Sequence, residues 1–178
     1  MTRGATPLGL RQGTLELVPH DTKWASAFAT EARSIRDALA DVVFEIDHIG
    51  STAVPGLPAK AILDIAMRAK ERDEDRIAQA LVGLGYIDRG FRSGRLFIRL
   101  RDVDVRTHNL HLYRLDDPEY FDQITFRDAL RADAELRDKY SLLKQSLVKR
   151  LGDAGRSLYA DAKTDFVRAA TVKASRHE

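Results

Sequence analysis

The chain of 178 residues contains no cysteine. Disulfides, thiolate metal sites and a cysteine nucleophile are therefore excluded, and a reducing cytoplasm is the compartment that suits it. Net charge is also scarce, at a formal +2, so the molecule as a whole lacks the basic excess of a nucleic-acid binder. No apolar run reaches the length of a membrane span, and the first residues lack the apolar core of a secretory leader. Several catalytic signatures are missing as well. There is no His-Glu-x-x-His, no Gly-x-Ser-x-Gly, no ATPase phosphate loop and no dinucleotide glycine fingerprint.

What remains is the composition of a globular domain, 44% hydrophobic and 31% charged. The length suits one domain with a single core. Residues 1–13, with Gly4, Pro7 and Gly9, read as a flexible arm. Residues 14–116 read as an α/β core, and residues 117–178 as a helical part of the same domain.

Leu15 to Val18 reads as a first strand, stopped by Pro19. Asp21 or Thr22 can cap a helix to about Asp41, with Trp24, Phe28, Ile35 and Leu39 on one apolar face. Trp24 is then a core anchor. Val43 to Ile49 alternates as a strand, and Ala61 to Met67 is an apolar run broken only by Asp64. Such a run suits a central strand covered on both sides. A helix follows from Glu71, then a hairpin pairing Leu96–Leu100 with Val105–Leu112. Asp117-Pro118 starts a helix and Asp133 caps another, with Tyr140, Leu143, Leu147 and Leu151 along one side. A final helix is expected near Leu158 to Lys173.

The chemistry concentrates between the second and third of these strands. Gly50-Ser51 forms a tight turn whose hydroxyls and amides, with Thr52, can donate to phosphate oxygens. A plain Gly-Ser turn between strands is the competing explanation. Lys60 is a phosphate contact or a solvated charge at a strand entrance. Asp64 is harder to explain by packing. An ionised carboxylate within an apolar strand is costly unless paired or metal-bound, so it reads as functional or as the partner of a hairpin arginine.

On a regular strand, His111 shares a face with Asn109 and Thr107, whereas His108 goes with Leu110 and Leu112. Asn109 and His111 can line a site, and His108 belongs to the core or an interface unless a bulge shifts the strand. His48 can flank the same turn. The hairpin is rich in arginine, from Arg89 to Arg106, and Arg99 is a candidate phosphate contact.

These residues resemble a known family. Val18-Pro19-His20-Asp21 with Trp24, the run from His48 to Leu57, Lys60 with Ile62-Leu63-Asp64-Ile65, and Thr107 to Leu112 are similar to the GrpB family. Phe126-Arg127-Asp128 and Ala162 to Phe166 extend the resemblance over almost everything from Leu15 to about Ala170. The GrpB proteins are small bacterial proteins placed in the nucleotidyltransferase superfamily. The resemblance implies an α+β fold: a nucleotidyltransferase-like mixed sheet flanked by helices, with further helices at the C-terminus. It implies that Gly50 and Ser51 hold nucleotide phosphates and that Asp64 holds magnesium or another divalent metal.

One departure bears on the chemistry. The superfamily's second acid belongs two residues after the first, where this chain has Ala66. One carboxylate does not build a paired-metal clamp. Asp47 or Asp104 can substitute, or Asp64 and His111 together can hold the ion. The expectation is a metal-dependent nucleotidyltransferase with Asp64 and His111 catalytic, binding a nucleoside triphosphate or other phosphorylated ligand through Gly50, Ser51, Thr52, Lys60, Asn109 and Arg99. Two alternatives stand beside it. One is a non-catalytic module for a nucleotide or coenzyme-A-like ligand, since some GrpB-family members are fused to a coenzyme-A biosynthetic kinase domain. The other is acid/base chemistry on a small metabolite in the same pocket.

Overall fold

A computed structural model describes residues 7–175. Its elements run β1 (Leu10–Arg11), α1 (Lys23–Ala38), β2 (Phe44–Ile49), β3 (Leu63–Ala69), α2 (Glu74–Gly83), β4 (Ile87–Arg92), β5 (Gly94–Arg101) and β6 (Val105–Arg114). Three helices follow: α3 (Pro118–Ala132), α4 (Ala134–Leu151) and α5 (Thr164–Ala174). The strands form one sheet in the order β2-β3-β6-β5-β4, with β1 added against β6. The β3–β6 pair is parallel and the others are antiparallel, so the sheet is mixed.

The apolar run in β3 is explained by its place. Leu63, Ile65 and Met67 are fully buried on one face, and Ala66 on the other. Helices cover both faces. Ile35 of α1, Leu39 at its C-cap, and Ile77 and Leu81 of α2 pack on Ile65, Met67, Leu110 and Leu112. Each large aliphatic side chain buried there stabilises the fold by about 1.5–3 kcal/mol. On the opposite face, Ile49 and Ala66 meet Tyr113 and Tyr120. The Pro/Gly loop after β2 inserts Val54 and Leu57 among Phe126, Leu130, Tyr140 and Ala170 of the last three helices.

Helix starts follow the expected chemistry. Asp117 Oδ1 accepts from Glu119 N at 2.9 Å, with Pro118 at the first position of α3. Asp133 Oδ1 accepts from Leu136 N at 2.9 Å and caps α4. Trp24 is a core residue with 1% of its surface exposed.

Three expectations are corrected. Residues 1–6 of the expected arm lie outside the described residues, but Leu10–Arg11 is a strand. Gln12 N donates to Asp104 O and Gly9 N to Ala61 O, each at 2.7 Å, which pins this segment to the sheet. Leu15 to Val18 is not a strand: Val18 makes an isolated bridge to Ala59. The last helix begins at Thr164, because the chain from Asp153 to Lys163 is spent in two 3₁₀ segments.

Sheet register decides which residues meet. Ile49, Asp64, Asn109, Ile98 and Ile87 form one row across β2, β3, β6, β5 and β4. The next row on the same face holds Asp47, Ala66, His111 and Leu96. Directly opposed residues project to one side of a sheet, so Asp64, Asn109 and His111 share the face roofed by the C-terminal helices.

Candidate functional site

Gly50 follows β2 with φ +68°, and a Cβ there would lie 2.6 Å from Asp64 Oδ2. Glycine is required twice over, for the backbone conformation and for the approach of the carboxylate. Asp64 Oδ1 accepts from Asn109 Nδ2 at 2.8 Å. The 3₁₀ turn Ser51–Ala53 follows Gly50 and carries the Ser51 hydroxyl.

That hydroxyl is met from across the fold. Lys144 Nζ lies 3.0 Å from Ser51 Oγ and also donates to the Pro58 carbonyl. Lys144 is 1% exposed. Burial pushes its amine down to about 7, and the nearby charges of Lys163 and Lys60 push the same way. Lys163 is itself lowered to about 8, by burial and then by Lys60. Lys60 is lowered by burial, against the opposing pull of Asp64. Lys60 and Lys163 both sit over the Tyr159 ring, with Nζ at 5.3 and 4.3 Å from its centroid. The buried Tyr159 hydroxyl has no hydrogen-bond partner among the described residues.

These groups line one cavity of about 620 Å³, within the range of roughly 300–1,000 Å³ usual for small-molecule sites. Gly50, Ser51, Thr52, Lys60, Asp64 and His111 all reach it, together with Phe126, Tyr140, Lys144, Tyr159, Lys163 and Val167. Glu119 and Asp122 of α3 line it too. Six of the eight candidate site residues, all but Asn109 and Arg99, thus line one cavity.

His111 Nδ1 lies 2.8 Å from the Ser93 carbonyl oxygen. A carbonyl only accepts, so in the neutral ring Nδ1 carries the proton and Nε2 keeps its lone pair. Thr52 is less free. Its hydroxyl is 2.9 Å from Nε2 of His48, which stacks on Phe28 within the core. Burial and the charges of Arg131 and Arg127 lower His48 to about 4, so it stays neutral at pH 7.

Two candidates stand elsewhere. Asn109 acts behind the cavity, as the donor to Asp64. Arg99 is on the other face of the sheet, opposite His108. It donates to Glu31 Oε1 at 2.7 Å, and Tyr86 donates to the same oxygen at 2.9 Å. Glu31 is buried, so Arg99 neutralises a core carboxylate and is not a ligand contact of this cavity. His108 belongs to the same core cluster, as expected, with its pKa lowered to about 3 by burial and by Arg99.

The acids considered as substitutes for the missing carboxylate are also engaged. Asp47 Oδ1 is 3.0 Å from Arg127 Nη1, and its Oδ2 accepts from the Tyr120 hydroxyl at 2.5 Å. Asp104 pairs with Arg11 at 2.6 Å. Among the described residues, no group of three or more His, Asp or Glu side chains could hold a metal ion. Asp64 and His111 supply two donors at most, in a cavity already carrying three lysines. This donor set does not fit a paired divalent-metal clamp.

Tyr140, Lys144, Tyr159 and Lys163 were missed in the sequence. One signal was present for Lys144. It lies four residues after Tyr140 and three before Leu147, so it sits in the apolar stripe of α4, where a solvated lysine does not belong.

The family model described as GrpB protein matches residues 14–173. The chain belongs to the GrpB family. A UPF0157 protein of Streptomyces coelicolor is 36% identical over 160 residues, covering 89% of this chain and 83% of the relative. The crystal structure of GrpB from Enterococcus faecalis superimposes with a TM-score of 0.80 at 24% identity, covering 91% of this chain and 98% of that one. The Cid1 poly(U) polymerase in its Mg 3′-dATP-bound form matches with a TM-score of 0.53 at 14% identity. That match covers 75% of this chain and 44% of the polymerase chain. At such identity the likeness is one of fold: the GrpB chain has a nucleotidyltransferase-like architecture. Among its described residues, no helix is long and apolar enough to cross a membrane.

Proposed function

We propose that this GrpB-family protein binds a phosphorylated small molecule of the nucleotide class in the large cavity, with the phosphates neutralised by lysines. The observation that carries this reading is the convergence of Lys60, Lys144 and Lys163 on Ser51 and Tyr159, within one cavity. Gathering three ammonium groups in a partly desolvated site is costly without an anion between them. Asp64 offsets part of this cost at Lys60 and Lys163, but no carboxylate is among the charges acting on Lys144, and Glu119 and Asp122 are not among those acting on any of the three. The unpartnered Tyr159 hydroxyl offers a donor to the same ligand. Phe126, Tyr140, Val167 and Val172 provide apolar wall for a base or a pantetheine-like chain. The fold likeness to a polymerase crystallised with 3′-dATP agrees with this class of ligand.

Anion binding raises the pKa of each lysine, so the ligand is held most tightly below about pH 7 and loosens as pH rises through the lysine range. The test is calorimetry with nucleoside mono-, di- and triphosphates and coenzyme-A-type ligands, in chelator and then with magnesium. Binding in chelator that is lost in Lys144→Met supports the reading. Failure of every phosphorylated ligand to bind, or binding indifferent to Lys144, refutes it.

A second reading adds chemistry to binding. His111 lines the cavity, and in the neutral ring the Ser93 carbonyl leaves the lone pair on Nε2, which favours its use as a general base towards a hydroxyl of the bound ligand or of an acceptor. Asp64, held by Asn109, would orient that hydroxyl. His111→Ala should then leave ligand affinity intact and abolish turnover; equal turnover in the variant removes His111 from catalysis.

A further inference from the structure

A second, smaller cavity lies further along the row that contains Asp64. It has a volume of about 80 Å³ and shares no lining residue with the large cavity. Ile87, Ile98 and Leu100 form its apolar part, and Arg89, Arg106 and Arg156 bring three guanidinium groups to it. Asp104 also lines it, but Arg11 already holds that carboxylate at 2.6 Å. Among the described residues, none of the three arginines makes a salt bridge. Arg106 is half-buried, and its proton is held less firmly than usual because of burial and the like charges of Arg156 and Arg89.

Three like charges around one cavity repel one another unless an anion sits among them. Guanidinium forks match planar and tetrahedral oxyanions. The volume is too small for a nucleoside and suits a single anionic group. Arg106 also touches the row leading to the large cavity. Its Nη1 is 3.5 Å from Asn109 Oδ1, and Asn109 Nδ2 donates to Asp64 at 2.8 Å.

We propose that this cavity is a second oxyanion site, in which Arg89, Arg106 and Arg156 hold the phosphate or carboxylate group of another small molecule, across Asp64 from the lysine cavity. The site stands whether or not the larger cavity takes a nucleotide. Its position suits a co-substrate or co-ligand whose anionic end is anchored while the rest of it reaches towards Asp64.

The experiment is an NMR titration of the protein with inorganic phosphate and, separately, with acetate, following backbone amides at Arg89, Leu100 and Arg106 and, for the other cavity, at Ser51. Saturable shifts at the arginine amides are expected with one of the two anions, and which one saturates assigns the site to phosphate or to carboxylate chemistry. Arg89→Gln and Arg156→Gln should each weaken that binding roughly tenfold while leaving the Ser51 response unchanged. Arg89 is exposed, so its substitution leaves the fold intact, and a thermal melt checks this. Absence of saturable shifts at these amides with both anions overturns the proposal, as does unchanged affinity in both variants. Loss of the Ser51 response alone counts against the lysine cavity and leaves this site standing.

Discussion

Replacing Lys144 with methionine isolates the electrostatic cost of the lysine cavity. In the folded protein the amine titrates near 7, against an ordinary 10.5. The unfolded chain therefore binds more protons than the folded one across that window. Stability rises with pH wherever this holds. The Lys144 contribution is fully unfavourable below about pH 7 and fades as pH climbs towards 10.5. The whole gap corresponds to about 5 kcal/mol. Relaxation and water entry around the amine reduce it, so a change of about 2–5 kcal/mol is expected. Methionine fills similar volume without a charge. It also forfeits the hydrogen bonds to Ser51 and the Pro58 carbonyl, but that loss is constant above the folded titration. The assay is urea denaturation of both proteins at several pH values from 6.5 to about 10. The stability of the parent relative to Lys144→Met should rise by the stated amount over this range, other groups cancelling in the difference. A difference flat with pH would mean that Lys144 keeps an ordinary pKa, and the desolvated-lysine reasoning would be wrong.

Gly50→Ala should destabilise the fold by about 2–5 kcal/mol, from the positive φ and from overlap with the Asp64 carboxylate. Combining it with Asp64→Ala should recover the carboxylate part of the steric share, leaving the backbone share and the overlap with the remaining Cβ at 2.9 Å; additive losses in the double variant would deny the close contact of the carboxylate. Arg99→Met strands Glu31 in the core and should cost about 3–5 kcal/mol, without altering ligand affinity in the large cavity, since Arg99 lies across the sheet. Weakened ligand binding in a folded Arg99→Met protein would contradict that placement.

Much of the fold was legible because local rules and global fold agree. The Asp117-Pro118 and Asp133 starts cap their helices, the hairpin of β5 and β6 forms, and the apolar run around Asp64 is an interior strand. The nearness of the Gly50-Ser51 turn to Asp64 was also legible, since antiparallel pairing of β2 with β3 sets Ile49, just before the turn, opposite Asp64. Two kinds of information were not. The contact of Lys144 with Ser51 spans 93 residues of sequence, and no local pattern encodes how α4 docks over the sheet. The choice among hairpin arginines failed because it depends on strand parity at a bulge. The register shifts between Arg99 and Leu100, leaving Arg99 beside His108 on the far face and Arg106 beside Asn109 on the near one. The N-terminal segment was misread for a related reason. Glycine and proline suggested a loose arm, yet the free edge of β6 beyond the reach of β3 captures Leu10–Arg11.

The central claim is that lysines supply the positive charge of this cavity. The most direct measurement is calorimetric titration of a nucleoside triphosphate into the protein and its Lys144→Met variant, in chelator and then in excess magnesium. The account expects saturable binding in chelator that the variant loses. Binding seen with magnesium alone, and equal in the two proteins, would contradict it.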